Sequence, residues 1–333
     1  MRIADVLSFE SRVTESAYDF ERDIIDWFSG LRSGHLGKWR YEYVPEGSPA
    51  AGGPIWEELA ARAKNYYVSR EGDRALVQSL DFIARTVINP DFIFDLGPGT
   101  LRPAIKALLS RIGANSTYVP VDVAAEFLKA AQPLKDEKIV RHVMPRRADF
   151  TQEQFTQGIK GNKLFLFLGS TFGNLPTAAN SDPEHEALRL LSHLRDNMSE
   201  GDRMLLVNDG NMDERTIIDC YTGPLNQDYY MVIPHKIAND LKPSGNFDPL
   251  AWKPEVQWWP LTSQCSHGMV ATKDQNFSIG SRHFYIPEGT TLNASNSFNF
   301  SAYALQRLMN KAGFKTQTYM PPGNKLVLAV GVS

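Results

Sequence analysis

An apolar run, Phe92-Ile93-Phe94-Asp95-Leu96, leads straight into Gly97-Pro98-Gly99-Thr100 and then into Leu101–Ile112, whose apolar residues recur at helical spacing. Strand, glycine turn and helix in that order make the first half of a β-α-β unit. The pattern continues with a strand over Thr117–Val123, a helix over Ala124–Ala131 and a charged strand near Ile139–Val143. Lys163–Leu168 (KLFLFL) is the most apolar strand candidate, followed by a helix over Glu184–Asn197 and a strand over Arg203–Asn208. Strands separated by helices of this length predict an α/β fold with a doubly wound, mostly parallel, Rossmann-like sheet.

The alternation breaks between about Gly210 and Asn299, a segment rich in Pro, Asn and aromatic residues. It resumes with a helix over Ala302–Ala312 and a strand over Lys325–Val332. All six tryptophans (Trp27, Trp39, Trp56, Trp252, Trp258, Trp259) lie before residue 60 or between 250 and 260. The expected division is therefore an accessory, substrate-binding domain from residues 1–67 and 211–297, and a sheet domain from 68–210 and 298–333. Whether the tryptophans fill a core or line a pocket stays open, because buried aromatics dominate both. Ala50-Ala51-Gly52-Gly53-Pro54 reads as a loop.

Composition narrows the partners. Of 333 residues, 42% are hydrophobic and 22% charged, enough for a packed core. A formal net charge of -3 argues against binding along a nucleic-acid backbone, and the short basic stretch Arg141–Arg147 is broken by Pro145. Two cysteines, Cys220 and Cys265, without a Cys-x-x-Cys pair, predict reduced thiols and no metal site. Among seven histidines no ligand cluster stands out, and His235, His267 and His283 are expected at the surface or in packing roles. Met1-Arg2-Ile3-Ala4-Asp5-Val6 opens a polar segment without a signal-peptide core. No stretch approaches the ~20 apolar residues of a membrane span. A cytoplasmic protein with a small-molecule partner is expected; the sequence does not set the oligomeric state, and a monomer is compatible with it.

Glycines in a strand-to-helix turn let a ligand approach the backbone where a Cβ would block it. A dinucleotide site wants a third glycine three residues after Gly99, where Arg102 stands, and Pro103 occupies the first helical turn. Asp122, at the end of the second strand, suits the spacing of about 20 residues at which a carboxylate meets a ribose diol, or it caps a turn. Asp149-Phe150 could offer an acceptor and an aromatic ring to an adenine; alone, the pair is no better than a turn. Gly169-Ser170-Thr171-Phe172-Gly173-Asn174-Leu175 ends the fourth strand, where ligands of open α/β sheets bind, and Asn174 offers both a donor and an acceptor.

Taken together, Gly97–Thr100, Tyr118–Val123, Asp149-Phe150 and Phe167–Leu175 resemble, in order, the motifs of histidine-specific methyltransferases, the EgtD-type enzymes of ergothioneine biosynthesis. Asn65-Tyr66-Tyr67-Val68-Ser69-Arg70 is similar to that family's Tyr-Tyr-Pro-Thr-Arg segment. The resemblance implies a class I methyltransferase fold and S-adenosylmethionine (SAM) as cofactor. It implies a cofactor site of Asp95, Gly97, Gly99, Thr100, Asp122, Asp149, Phe150 and Gly169, with Asp95 near the amino-acid end. Tyr66, Asn174 and Tyr221 would hold the carboxylate and amino group of an amino-acid acceptor, the Tyr221 match needing a one-residue gap. The family grips imidazole with a Glu-x-Ser pair. Here that stretch reads Leu292-Asn293-Ala294-Ser295-Asn296-Ser297-Phe298, so Asn293, Ser295 and Ser297, with Met269, become the candidate side-chain pocket. Loss of the glutamate removes a charge-assisted bond worth about 1.5–3 kcal/mol.

The resemblance therefore implies an N-methyltransferase acting on the amino group of an amino acid or related small amine, with altered side-chain specificity. It would work by direct in-line transfer without a metal, mainly through orientation. The alternatives are authentic L-histidine Nα-methylation, a nicotinamide-dependent oxidoreductase, and a non-catalytic nucleotide-binding protein.

Overall fold

A computed structural model of the chain describes residues 20–41, 48–87, 89–169, 171–177 and 182–333. The reading of Met1–Val6 and the placement of Ser170 lie outside these residues. The strands are β1 (Phe92–Leu96), β2 (Thr117–Asp122), β3 (His142–Val143), β4 (Arg146–Arg147), β5 (Lys163–Phe167) and β6 (Arg203–Asp209). They continue with β7 (Ser244–Gly245), β8 (Trp252–Trp259), β9 (Gln264–Ala271), β10 (Gln275–Ile279), β11 (Arg282–Ile286) and β12 (Thr291–Phe298). β13 (Lys315–Tyr319) and β14 (Leu326–Val332) close the chain.

The main sheet runs β13-β14-β6-β5-β1-β2-β3, with β4 also on β2. β1, β2, β5 and β6 pair in parallel, and β14 pairs antiparallel with both β6 and β13. Period-two alternation sends Ile93, Leu164, Leu166, Leu205 and Val207 into one core layer. Phe94, Leu96, Phe165, Phe167 and Leu206 enter the other. Helices Tyr67–Gln78 and Pro103–Ile112 cover the first face through Ala75, Leu76, Ile105 and Leu108; helices Pro183–Asp196 and Ala302–Lys311 cover the second. Each fully buried Leu, Ile or Phe contributes about 1.5–3 kcal/mol relative to exposure. Lys163 can open a fully buried strand because its ammonium meets Asp202 at 2.9 Å, with both side chains 3% exposed.

The third strand is shorter than expected, and the helix at residue 52 replaces part of a predicted loop. Helix Gly52–Arg62 opens on a glycine because a side chain has no room there: the Arg40 carbonyl lies 1.7 Å from where a Cβ would stand. The 210–299 segment holds helices Glu214–Tyr221 and Pro224–Lys236 and two antiparallel sheets, β11-β10-β7 and β12-β9-β8. The second helix is buried on several sides, through Asn226, Tyr229, Val232, Ile233 and Lys236, so it carries no single apolar stripe. Helix Phe20–Phe28 packs onto these sheets. Trp27 lies 6.1 Å from Trp252, Phe28 lies 5.0 Å from Phe277, and Trp27 Nε1 donates to the Asn293 carbonyl at 2.9 Å. Among the described residues no helix is long and apolar enough to cross a membrane.

Candidate active site

In the order β2-β1-β5 the chain leaves β1 in one direction and reaches β5 on the other side, a topological switch point. One cavity opens at the carboxyl ends of these strands. Gly97 and Gly99 have φ of +67° and +55°, a region L-residues enter at a cost of roughly 1–2 kcal/mol. A Cβ on Gly99 would meet nothing within 4 Å, so the loop leaves room beside its backbone. Gly169 (φ +77°) makes a similar turn after β5.

Four carboxylates line the cavity among the described residues: Asp95, Asp122, Asp149 and Asp209. Asp95 is buried at the end of β1, its Oδ2 accepts from Tyr118 at 2.5 Å, and burial pushes its carboxyl up to about 6. Asp122 is also pushed up to about 6 by burial, while its Oδ1 accepts from the Ala124 amide at 2.9 Å. Asp149 accepts from Thr151 and Gln152 within its own turn, and Phe150 packs edge-on to Phe167 at 5.5 Å. Asp209, at the end of β6, accepts from the Tyr67 hydroxyl and from the Asn211 amide, and burial raises it to about 6. Asp209 was not expected from sequence; its place at a strand's carboxyl end is the signal that could have found it.

Tyr66, Asn174 and Tyr221 line the same cavity, as does Thr100. Tyr66 precedes helix Tyr67–Gln78, and its ring sits 6.0 Å from that of Tyr221. Burial raises both phenols well above their usual range, so both stay protonated donors. Asn174 Oδ1 accepts from Ser297 Oγ at 3.2 Å; Ser297 meets His267 Nε2 at 3.1 Å, and His267 Nδ1 meets the Tyr230 hydroxyl at 2.9 Å. Burial lowers His267 to about 3, so the ring is neutral. With Ser297 donating to Asn174, proton accounting makes Nε2 the donor and Nδ1 the acceptor, leaving the Asn174 NH₂ group for a ligand. His267, expected only at the surface or in packing, stands on the cavity wall.

The candidate side-chain pocket divides. Ser295 and Ser297 line the cavity; Asn293 and Met269 are not among its lining residues. Between Asn293 and Ser295 the pairing of β12 with β9 slips by one residue at Ala294, and such a bulge turns Asn293 to the opposite face. Its Nδ2 donates instead to Asn296 Oδ1 at 2.7 Å. Met269 is 1% exposed in the apolar core. Trp56 is the tryptophan that lines the cavity, with Tyr229 beside it at 5.7 Å, whereas Trp27, Trp252 and Trp258 are core residues.

A family model described as "Histidine-specific methyltransferase, SAM-dependent" matches residues 38–329. The chain belongs to that family. It is therefore a SAM-dependent methyltransferase of class I fold, and the oxidoreductase and non-catalytic alternatives fall away. The chain is similar to a histidine N-alpha-methyltransferase of Mycobacterium tuberculosis, at 26% identity over 77% of this chain and 76% of the relative. It is similar to N-methyltransferase fsqC of Aspergillus fumigatus, at 25% identity over 74% and 68%. Among solved structures, human N-acetylserotonin methyltransferase in complex with SAM aligns at 12% identity over 98% of this chain and 69% of that one, with a TM-score of 0.42. The methyltransferase's own residues fit SAM: left-handed Gly97 and Gly99, the second beside open space, and buried carboxylates able to accept from an ammonium and a ribose.

Proposed function

We propose that this methyltransferase methylates the amino nitrogen of an amino acid or related small amine, with a side-chain preference different from that for histidine. Bound SAM supplies a methyl carbon on a sulfonium, open to in-line attack by a nitrogen lone pair. The observation that carries the reading is that Tyr66, Tyr221 and Asn174 open on the same cavity as Asp95 and the Gly97–Thr100 loop. In the proposed roles, Asp95, Asp122, Asp149 and Phe150 hold the cofactor with Gly97, Gly99, Thr100 and Gly169. The protonated phenols and the Asn174 amide donate to the acceptor's carboxylate and so aim its amino group. Orienting two bound reactants this way replaces most of the entropy cost of their encounter.

Residues 1–67 and 211–297 would form the acceptor-binding part; the packing of Trp27 and Phe28 onto the inserted sheets supports this division. The cysteines Cys220 and Cys265 are free and buried, which suits a reducing cytoplasm. A second reading, Nα-methylation of L-histidine, is favoured by the name of the mycobacterial relative.

The test offers SAM with a panel of α-amino acids and simple amines and weighs the products by mass. Gain of one or more methyl groups on an amino nitrogen is expected. A protein that binds S-adenosylhomocysteine (SAH) yet methylates no amine would refute the proposal, and histidine as the best acceptor would select the second reading.

A further inference from the structure

Among the described residues each cation on the cavity wall but one meets a carboxylate, Arg32 and Lys38 sharing Asp23. Arg32 and Lys38 pair with Asp23 at 2.9 and 3.1 Å, Arg102 with Asp73 at 2.8 Å, and Arg189 with Glu186 at 2.9 Å. Arg40 is 3% exposed and has no carboxylate within 4 Å among the described residues. Its Nη2 donates to Ser295 Oγ, its guanidinium lies 5.0 Å from the rings of both Tyr229 and Tyr230, and its Nε has no partner. A buried cation left this way is costly unless an anion arrives to complete it. Backbone packing holds it in place, because its carbonyl abuts Gly52.

Position says which part of a ligand would meet it. Ser295 and Ser297 share one face of β12, about 6.8 Å apart at a rise of about 3.4 Å per residue. Ser297 contacts Asn174, and Ser295 contacts Arg40. Asn174 and Arg40 are thus held by successive same-face positions of one strand, a separation on the scale of a single amino-acid side chain. Resting on the reading that Asn174 receives the amino-acid end, we infer that Arg40 is a specificity residue that binds a carboxylate at the far end of the acceptor. The acceptor class is then an α-amino acid with an anionic side chain. A guanidinium edge offers a carboxylate two parallel donors, which an amide or imidazole cannot use in the same way.

The experiment measures binding of L-aspartate, L-glutamate and L-2-aminoadipate to the SAH-loaded enzyme by calorimetry, beside L-asparagine, L-glutamine and L-histidine. At least one acid should bind about tenfold or more tightly than its amide, as expected for a charge-assisted bond. Arg40→Met should erase that preference while SAH affinity stays within twofold, and Arg40→Lys should keep part of it. If Arg40→Met does not fold, the wild-type ranking and Arg40→Lys still decide. Amides or histidine binding as tightly as the acids, no acid binding at all, or a preference that survives Arg40→Met would overturn the inference. In those cases, methylation of another amine would leave the wider proposal standing, while the absence of any amine acceptor would end both.

Discussion

The two ends of the cavity are built in different ways. At the proposed cofactor end, groups come from strand tips and the turns that follow them: Asp95, Gly97 and Gly99 at and after the end of β1, Asp122 at the end of β2, and Gly169 after β5. The proposed acceptor end draws Arg40, Tyr66, Tyr221, Tyr230, His267 and Ser295 from separate segments and joins them by side-chain contacts. The first end is acidic and uses positive-φ glycines; the second is tyrosine-walled and holds a cation that meets no carboxylate among the described residues. A ligand common to a whole family can be gripped by local turns, whereas the ligand that distinguishes one member is read by residues that only the tertiary fold brings together.

Asn174 joins the two ends, so its loss should have the largest effect. Its loop follows β5, and its carboxamide is held by Ser297 at 3.2 Å. Asn174→Ala should lower kcat/KM by about a hundredfold or more through misorientation of the acceptor, while SAH affinity by calorimetry stays within about twofold. Undiminished turnover would show that the acceptor is positioned elsewhere. A parallel loss of SAH affinity would show that the two ends are not separable.

Asp122→Asn probes the cofactor end alone. The amide oxygen can still accept from Ala124, so the turn is kept and only the charge is removed. SAH should bind about tenfold to a hundredfold more weakly, as expected for a hydrogen bond to a charged group, with the acceptor's KM at saturating SAM unchanged. Unaltered SAH affinity would return Asp122 to a turn-capping role.

The same contrast explains what the sequence made visible. β1, β2, β5 and β6 were legible because each is a short apolar run bounded by turn residues, and they set the position of the cavity. β13 was missed because Lys315-Thr316-Gln317-Thr318-Tyr319 is a polar edge strand whose one strand partner is β14. Asn293 could not be placed because a bulge at Ala294 reverses which side faces the cavity, and nothing in the residue order marks that slip. His267 was missed for a related reason: its partners, Tyr230 and Ser297, are 37 and 30 residues away. Arg40 in sequence is one basic residue among many. Only its burial, with no carboxylate beside it among the described residues, singles it out.

The smallest expected effect separates the two ends by pH. Burial holds Asp95 and Asp122 near 6 in the free protein, well above an ordinary carboxyl. In the proposed roles the cofactor's ammonium and ribose hydroxyls favour the ionised carboxylates, so binding would draw those protons off and stabilise the charged forms. SAH affinity should therefore be full by about pH 7 and decline as pH falls through about 6, by up to about tenfold per carboxylate at pH 5. At the acceptor end His267 sits at about 3 and remains neutral, so it should add no break to acceptor binding between about pH 5 and pH 8. Calorimetry at stepped pH, repeated on Asp122→Asn, measures both. The variant should show a shallower dependence, retaining the part due to Asp95. A flat SAH profile in the wild type would mean that neither carboxylate faces the ligand in its charged form. A break near pH 6 that is lost in His267→Asn would instead mean that ligand binding opens the acceptor end to water.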